Sequence, residues 1–286
     1  MTSITTIGIV GAGTMGAGIA QTAAASGYTV ILIDAREEFV QRGLSRIEND
    51  LDAGIVRGKI TLEQRDATLA AISGGTDYAA LASCQLVIEA VPETLEIKQL
   101  VLRAISRAVT PETIIASNTS SLSIGTLAGF VDQPGRLIGM HFFNPVPRMA
   151  LVEVVAGDQT DPLVVDAVVG VAESMGKTAV RSADKPGFIV NRILIPMINE
   201  AARALADNVA SATDIDIAMK LGAGHPMGPL ALADLIGIDV VLDIMRVLHS
   251  ELGDTYAPAV ILEEMVVAGT LGKKTGRGFF SYEEGR

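Results

Sequence analysis

His141 and Glu153 stand twelve positions apart in GMHFFNPVPRMALVEVV, an otherwise apolar stretch of a chain with only three histidines. An imidazole titrates at about 6.5 when unperturbed, so it can take and return a proton at small cost near neutral pH. A carboxylate on its other nitrogen would fix the tautomer and stabilise the imidazolium, which makes the two residues a candidate general base and its orienting partner. His225, in the turn GHPMGP, and His249, on a helical pattern, read as ordinary structural histidines. Two further polar sites, Glu93 and the SNTSS run from Ser117, follow apolar strand-like segments in the same way.

A second constellation lies at the start of the chain. GAGTMG (Gly11, Ala12, Gly13, Thr14, Met15, Gly16) follows the apolar run TTIGIV and opens a helical pattern, and Asp34 ends the next apolar run, YTVILID. In such a strand–turn–helix the first glycine permits a tight turn and the second lets backbone approach a pyrophosphate. The third lets the helix pack on the strand, and the helix N-terminus attracts the phosphates. A carboxylate at Asp34 would accept ribose hydroxyls and repel a 2′-phosphate, so NAD is expected over NADP, with Arg36 the residue that could soften this preference. With a nicotinamide bound, hydride transfer is the default reaction, and His141 is placed to handle the hydroxyl proton.

These residues need a scaffold, and the alternation of elements specifies one. Strand patterns recur at 84–91, 113–121, 136–143, 151–157 and 178–184 with helices between them, as expected for a Rossmann-type, doubly wound, mostly parallel α/β sheet. A long charged helical hairpin at about 36–73 interrupts the alternation. Beyond Pro186 and Gly187 the pattern becomes helical, including one long helix expected over 228–253. We therefore expect a dinucleotide-binding domain over 1–186 and an all-α domain over 187–286. Several of the latter's helices are apolar nearly all round, which predicts a homodimer formed through this domain.

Composition narrows the partners. A formal charge of −11 argues against nucleic acid or an anionic membrane surface, and no run of about 18 apolar residues is present. A lone cysteine, Cys84, excludes an internal disulfide and a cysteine-based metal site; no metal is expected. The start, MTSITTIGIVGAG, lacks a basic leader, and a cytoplasmic protein is expected.

Six blocks in order, GAGTMGAGIAQ, ASNTSSLSI, GMHFFNPVPRMALVEVV, KPGFIVNRILIPMINEA, AMKLGAGHPMGPLALADLIGID and GKKTGRGFFSY, resemble the L-3-hydroxyacyl-CoA dehydrogenases over essentially the whole chain. The likeness is strongest to the short, free-standing bacterial members that act on 3-hydroxybutyryl-CoA. The resemblance implies NAD-linked interconversion of a (3S)-3-hydroxyacyl-CoA and the 3-ketoacyl-CoA, with His141 as base and Glu153 as its partner. It adds Ser120 and Asn191 as donors to the substrate oxygens, with cleft closure expected because Asn191 belongs to the other domain. For NAD it implies the Gly11–Gly16 loop with Asp34, Glu93, Lys98, Ser120, Asn144 and Lys274, and for CoA the hairpin with Arg57. The sequence departs from many relatives at Arg148 and Ala150, where the basic residue is shifted by two positions, and at Asp50 and Ala53 on the hairpin.

Two other readings compete. A sugar-acid dehydrogenase of the L-gulonate type would share the cofactor loop and a histidine but lacks FFNPVP after it. A non-catalytic dinucleotide-binding protein would be expected to have lost Ser120, His141, Glu153 or Asn191, and all four are present.

Overall fold

The computed structural model describes residues 3–282; the last four residues of the expected second domain lie outside that range. Two compact units, Met1–Lys185 and Pro186–Arg286, divide the chain. In the first, the apolar runs form strands β1 Thr6–Val10, β2 Thr29–Ile33, β3 Ile72–Gly75, β4 Leu86–Glu89, β5 Ile114–Ser117, β6 Leu137–Phe142, β7 Leu151–Ala156 and β8 Thr178–Ala183. Their helices are α1 Thr14–Ala25, α2 Glu37–Val56, α3 Leu62–Ala70, α4 Leu95–Ala108, α5 Ile124–Ala128 and α6 Pro162–Ser174.

The strands make one sheet in the order β3-β2-β1-β4-β5-β6-β7-β8. Neighbours from β3 to β6 are parallel, whereas β7 runs antiparallel to β6 and β8 follows β7. Central strands β4, β5 and β6 are buried along their whole length, as parallel strands covered on both faces must be. The strand order reverses between β1 and β4, and in open α/β sheets ligands bind beyond the carboxyl ends of the strands at such a point.

The hairpin at 36–73 resolves into α2, α3 and a strand that the sequence pattern did not reveal. ISGG (Ile72–Gly75) has weak intrinsic strand preference, yet it pairs with Val30–Ile33 as the edge of the sheet. Helix α2 buries Val40, Gly43, Ile47, Leu51 and Gly54, one face at three- and four-residue spacing. A Cβ at Gly43 would lie 2.8 Å from the Ala12 carbonyl oxygen, so the helix backbone packs directly on the glycine loop. Helix α3 opens on a capping box in which Thr61 and Gln64 satisfy each other's backbone N–H groups.

In the second unit, α7 Val190–Ala206, α8 Ala212–Gly222, α9 Pro229–Ile236, α10 Ile238–Leu252 and α11 Val260–Val267 enclose a separate core that includes Ile195, Ile198, Leu230, Val241, Met245, Leu248 and Leu262. The single helix expected over 228–253 is two helices. Gly237 has φ +107°, which no helix accommodates, and it separates α9 from α10. Asn199 bridges α7 to the start of α11 by donating to the Ala257 carbonyl (3.1 Å) and accepting from Ala259 N–H (2.7 Å). Asp234 receives the backbone N–H groups of Phe279 and Phe280, each at 2.9 Å, and so anchors the final described segment. Among the described residues no helix is long and apolar enough to cross a membrane.

Candidate active site

Because β1, β2, β4, β5 and β6 are parallel, their carboxyl ends share one edge of the sheet, and the polar residues singled out in the sequence gather there. The glycine loop leaves β1 and starts α1. Gly11 has φ +106°, and a Cβ on it would meet the Ala90 carbonyl oxygen at 2.6 Å; one on Gly16 would be 1.7 Å from the Gly11 carbonyl oxygen. Gly13 differs, because a Cβ there would meet nothing within 4 Å. Two glycines are therefore demanded by the protein's own packing and one only by what approaches from outside. That is the cradle a pyrophosphate requires, and the residues present fit NAD.

Asp34 ends β2 with its carboxylate turned toward this loop. One oxygen accepts the Ala12 N–H at 2.7 Å and the other the Ala35 N–H at 2.7 Å. An ionised carboxylate offers about four acceptor sites, so capacity remains for ribose hydroxyls. Arg36 is turned to Glu38, 3.1 Å away, and over the Phe39 ring.

At the ends of β4 and β5 a dense network forms around Glu93. Its Oε1 accepts from the Thr119 hydroxyl (2.6 Å), Ser120 N–H (2.7 Å), Ser120 hydroxyl (3.2 Å) and Ser121 N–H (3.0 Å). Its Oε2 lies 3.2 Å from Lys98 Nζ. Burial alone would raise the Glu93 carboxyl, but the Lys98 ammonium and these donors outweigh it and hold the group below the usual carboxylate value. Lys98 itself is wholly buried, its ammonium held by Glu89 and Glu93, so it stands behind Glu93 with no surface of its own.

His141 is the penultimate residue of β6, and the antiparallel register sets Glu153 of β7 directly opposite it. Cross-strand partners share a face of the sheet, so the pair follows from the register. Nδ1 of His141 lies 2.7 Å from Glu153 Oε2; the His141 side chain is 8% and that of Glu153 1% exposed. Phe143 covers the imidazole, with ring centroids 4.5 Å apart. The connecting loop is fastened from the far side by Lys177, whose ammonium donates to the carbonyls of Val146 (2.6 Å) and Met149 (2.9 Å). Burial holds the Lys177 ammonium below its ordinary value.

Asn144, Arg57, Asn191 and Lys274 complete the expected site residues. Asn144 lies exposed in the loop after β6. On the hairpin, Arg57 and Arg148 converge on one oxygen of Asp50, at 3.9 and 3.8 Å, while Gln21 donates to the other at 2.9 Å. The two departures, Asp50 and Arg148, thus face each other, and together with Arg57 they form an exposed group of two guanidiniums around one carboxylate. In the second unit, Asn191 is buried in the first turn of α7, and Lys274 forms a two-pronged ion pair with Asp239 at 2.6 Å.

Glu89 and Lys177 are buried polar residues that the sequence reading did not single out. For Glu89 the signal was present, since VIEAV ends an apolar strand on a carboxylate, as the strand bearing His141 ends on an imidazole.

Comparison with known proteins gives consistent matches over the whole length. The family model described as the 3-hydroxyacyl-CoA dehydrogenase NAD binding domain matches residues 6–185, and that of the C-terminal domain matches residues 187–282. The chain is 46% identical over 279 residues to the 3-hydroxybutyryl-CoA dehydrogenase of Clostridioides difficile, covering 97% of this chain and 99% of that one. It is 45% identical over 277 residues to the enzyme of the same name from Bradyrhizobium diazoefficiens, covering 96% and 94%. The crystal structure of (S)-3-hydroxybutyryl-CoA dehydrogenase from Ralstonia eutropha superposes with a TM-score of 0.96 at 48% identity, covering 99% of this chain and 100% of that one.

Proposed function

Since the chain belongs to the 3-hydroxyacyl-CoA dehydrogenase family, we propose that it interconverts (3S)-3-hydroxyacyl-CoA and 3-ketoacyl-CoA with NAD, the short pair 3-hydroxybutyryl-CoA and acetoacetyl-CoA foremost. The observation that carries this reading is the 2.7 Å contact between His141 Nδ1 and Glu153 Oε2 on the strand-end edge that also bears the glycine cradle.

With Nδ1–H donated to Glu153, Nε2 is the basic nitrogen of His141. In the oxidative direction it removes the proton of the 3-hydroxyl as the hydride leaves the same carbon. Glu153 stays ionised, orients the ring and stabilises the imidazolium that forms. In the reductive direction the imidazolium returns its proton to the oxygen, while Ser120 and Asn191, assigned by family resemblance, donate hydrogen bonds to the developing alkoxide. NAD, when bound, supplies the carbon that accepts or returns the hydride. Gly11 to Gly16 and Asp34 would hold its pyrophosphate and ribose, with Glu93, Ser120, Asn144 and Lys274 as further contacts. Lys98 contributes through Glu93.

For the CoA portion, Arg57 and Arg148 supply local positive charge on an acidic chain, with one carboxylate between them. A homodimer built through the second unit is supported by its exposed apolar side chains, among them Ile193, Leu221 and Val267 at 67, 82 and 90% exposure. Analytical ultracentrifugation tests it, and a monomer at micromolar concentration would remove it. The single, buried Cys84 supports a cytoplasmic setting.

The deciding experiment follows NADH oxidation with acetoacetyl-CoA, then with longer 3-ketoacyl-CoAs and with NADPH. Turnover with NADH well above that with NADPH is expected. Failure to turn over any 3-ketoacyl-CoA would overturn the assignment. His141→Gln should lose nearly all turnover while binding NADH as the parent does.

A further inference from the structure

Glu89 takes no part in the chemistry above, yet it is among the costliest groups in the molecule to bury. It ends β4 with no exposed surface, and its four acceptor positions are filled. Oε1 accepts from Lys98 Nζ (2.8 Å) and from the Val91 N–H (2.8 Å). Oε2 accepts from Lys98 Nζ (3.0 Å) and from the Ser117 hydroxyl (2.6 Å). Saturated in this way, the carboxylate has nothing to offer a ligand and acts only through its partners.

Those partners lead to the site in an unbroken series. Lys98 connects Glu89 to Glu93, and Glu93 holds the backbone N–H groups of Ser120 and Ser121 together with the Thr119 hydroxyl. Ser117 ties the same carboxylate to the end of β5, three residues before Ser120. The end of β4, the first turn of α4 and the loop after β5 are thereby fixed relative to one another by one cluster. Stability is a poor reason for it, because a buried ion pair is generally matched or exceeded by apolar side chains of the same volume. Here two carboxylates share one ammonium, so the cluster keeps a net charge of −1, counted as +1 for Lys98 and −2 for Glu89 and Glu93.

We propose that Glu89 is a positioning residue for Ser120, holding Lys98 so that Glu93 is fixed and in turn sets the loop that carries the Ser120 hydroxyl. The proposal rests on the functional reading above, in which Ser120 donates to the reacting oxygen. With Glu89 neutralised, Lys98 has a single anionic partner left and is drawn toward it. Glu93 then shifts with the serine loop, and misplacing a reacting group by about 1 Å costs on the order of a hundredfold in rate.

The test is a double-mutant cycle between Glu89→Gln and Ser120→Ala, read as kcat with acetoacetyl-CoA, as NADH affinity by fluorescence titration and as melting temperature. Glu89→Gln is expected to lower kcat by about tenfold to a hundredfold in the parent and by less than about twofold in the Ser120→Ala background, since the device then has nothing left to position. NADH affinity should weaken as well, because Glu93 and Ser120 are proposed cofactor contacts, so kcat is read at saturating NADH. A parental rate in Glu89→Gln, or losses that multiply in full, would overturn the proposal, because a general structural defect slows both backgrounds alike. Where Glu89→Gln does not fold, Ser117→Ala removes one donor from the same carboxylate without changing charge. It should give the same non-additive pattern at smaller amplitude, and full additivity would again refute the proposal. Absence of wild-type turnover is a separate outcome that sinks the functional reading and this proposal with it.

Discussion

Replacing Glu153 by Gln isolates the charge of the proposed catalytic pair from its shape. The side chains are isosteric, and at 1% exposure no water replaces the lost carboxylate. What disappears is the difference between a charge-assisted hydrogen bond to a developing imidazolium and a neutral one. Charge-assisted bonds contribute about 1.5 to 3 kcal/mol and neutral ones about 1, so the 2.7 Å contact should lose about 0.5 to 2 kcal/mol of transition-state stabilisation. That corresponds to a fall in kcat of roughly twofold to thirtyfold. A glutamine that turns its amide nitrogen to Nδ1 would add to this loss by fixing the wrong tautomer. The assay is initial-rate NADH oxidation with saturating acetoacetyl-CoA across the neutral pH range, beside NADH titration of the same protein. A decrease smaller than about twofold with an unchanged pH profile would refute the argument that Glu153 stabilises the imidazolium.

The glycine loop offers a contrast between two substitutions of the same kind. Gly13→Ala should melt near the parental temperature and weaken NADH binding at least about tenfold, whereas Gly16→Ala, whose Cβ would strike the Gly11 carbonyl at 1.7 Å, should fold poorly or not at all. Equal melting temperatures for the two would contradict the packing described. Arg148→Met and Arg57→Met should each raise KM for acetoacetyl-CoA severalfold but leave KM for an acetoacetyl thioester lacking the nucleotide phosphates unchanged; equal effects on both substrates would detach the pair from CoA. Glu93 has a folded-state pKa below its unfolded value, so its stabilising contribution is present above about 4.3 and is lost as pH falls through the folded value. The melting temperature of Glu93→Gln should therefore lie below the parent's at neutral pH and converge on it as pH drops through that window, and a gap independent of pH would show that the carboxylate's ionisation contributes nothing.

The cofactor loop was legible because each of its residues is constrained locally. Strand, turn and helix follow one another within about twenty residues, and a short-range pattern suffices to read them. The His141–Glu153 pair was legible for a related reason, as both are polar residues on strands otherwise wholly apolar, and a separation of twelve positions is long enough only for a loop and a return strand. The edge strand β3 was not legible. Its ISGG sequence has no pattern of its own and becomes a strand because β2 offers it a partner. The break at Gly237 was missed because a glycine inside a helical pattern is usually tolerated, and only the backbone angle shows that this one is not. The Glu89–Lys98–Glu93 cluster joins a strand end, a helix and a loop, and nothing in spacing alone tells that Lys98 points inward.

The antiparallel turn from β6 into β7 also limits how this enzyme can vary. Side chains alternate between faces along a strand, so sliding β7 by a single residue against β6 would present Val152 or Val154 to His141 and send Glu153 to the opposite face. The mostly exposed stretch between Phe142 and Leu151 looks like a surface segment free to drift in length, but it is the spacer that keeps His141 and Glu153 in register. Lys177, gripping the Val146 and Met149 carbonyls, works as a stop against slippage. Anyone grafting a longer substrate-contacting loop at this position must preserve phase as well as fold, because a variant could be stable, bind its cofactor and still have its proton carrier facing a valine.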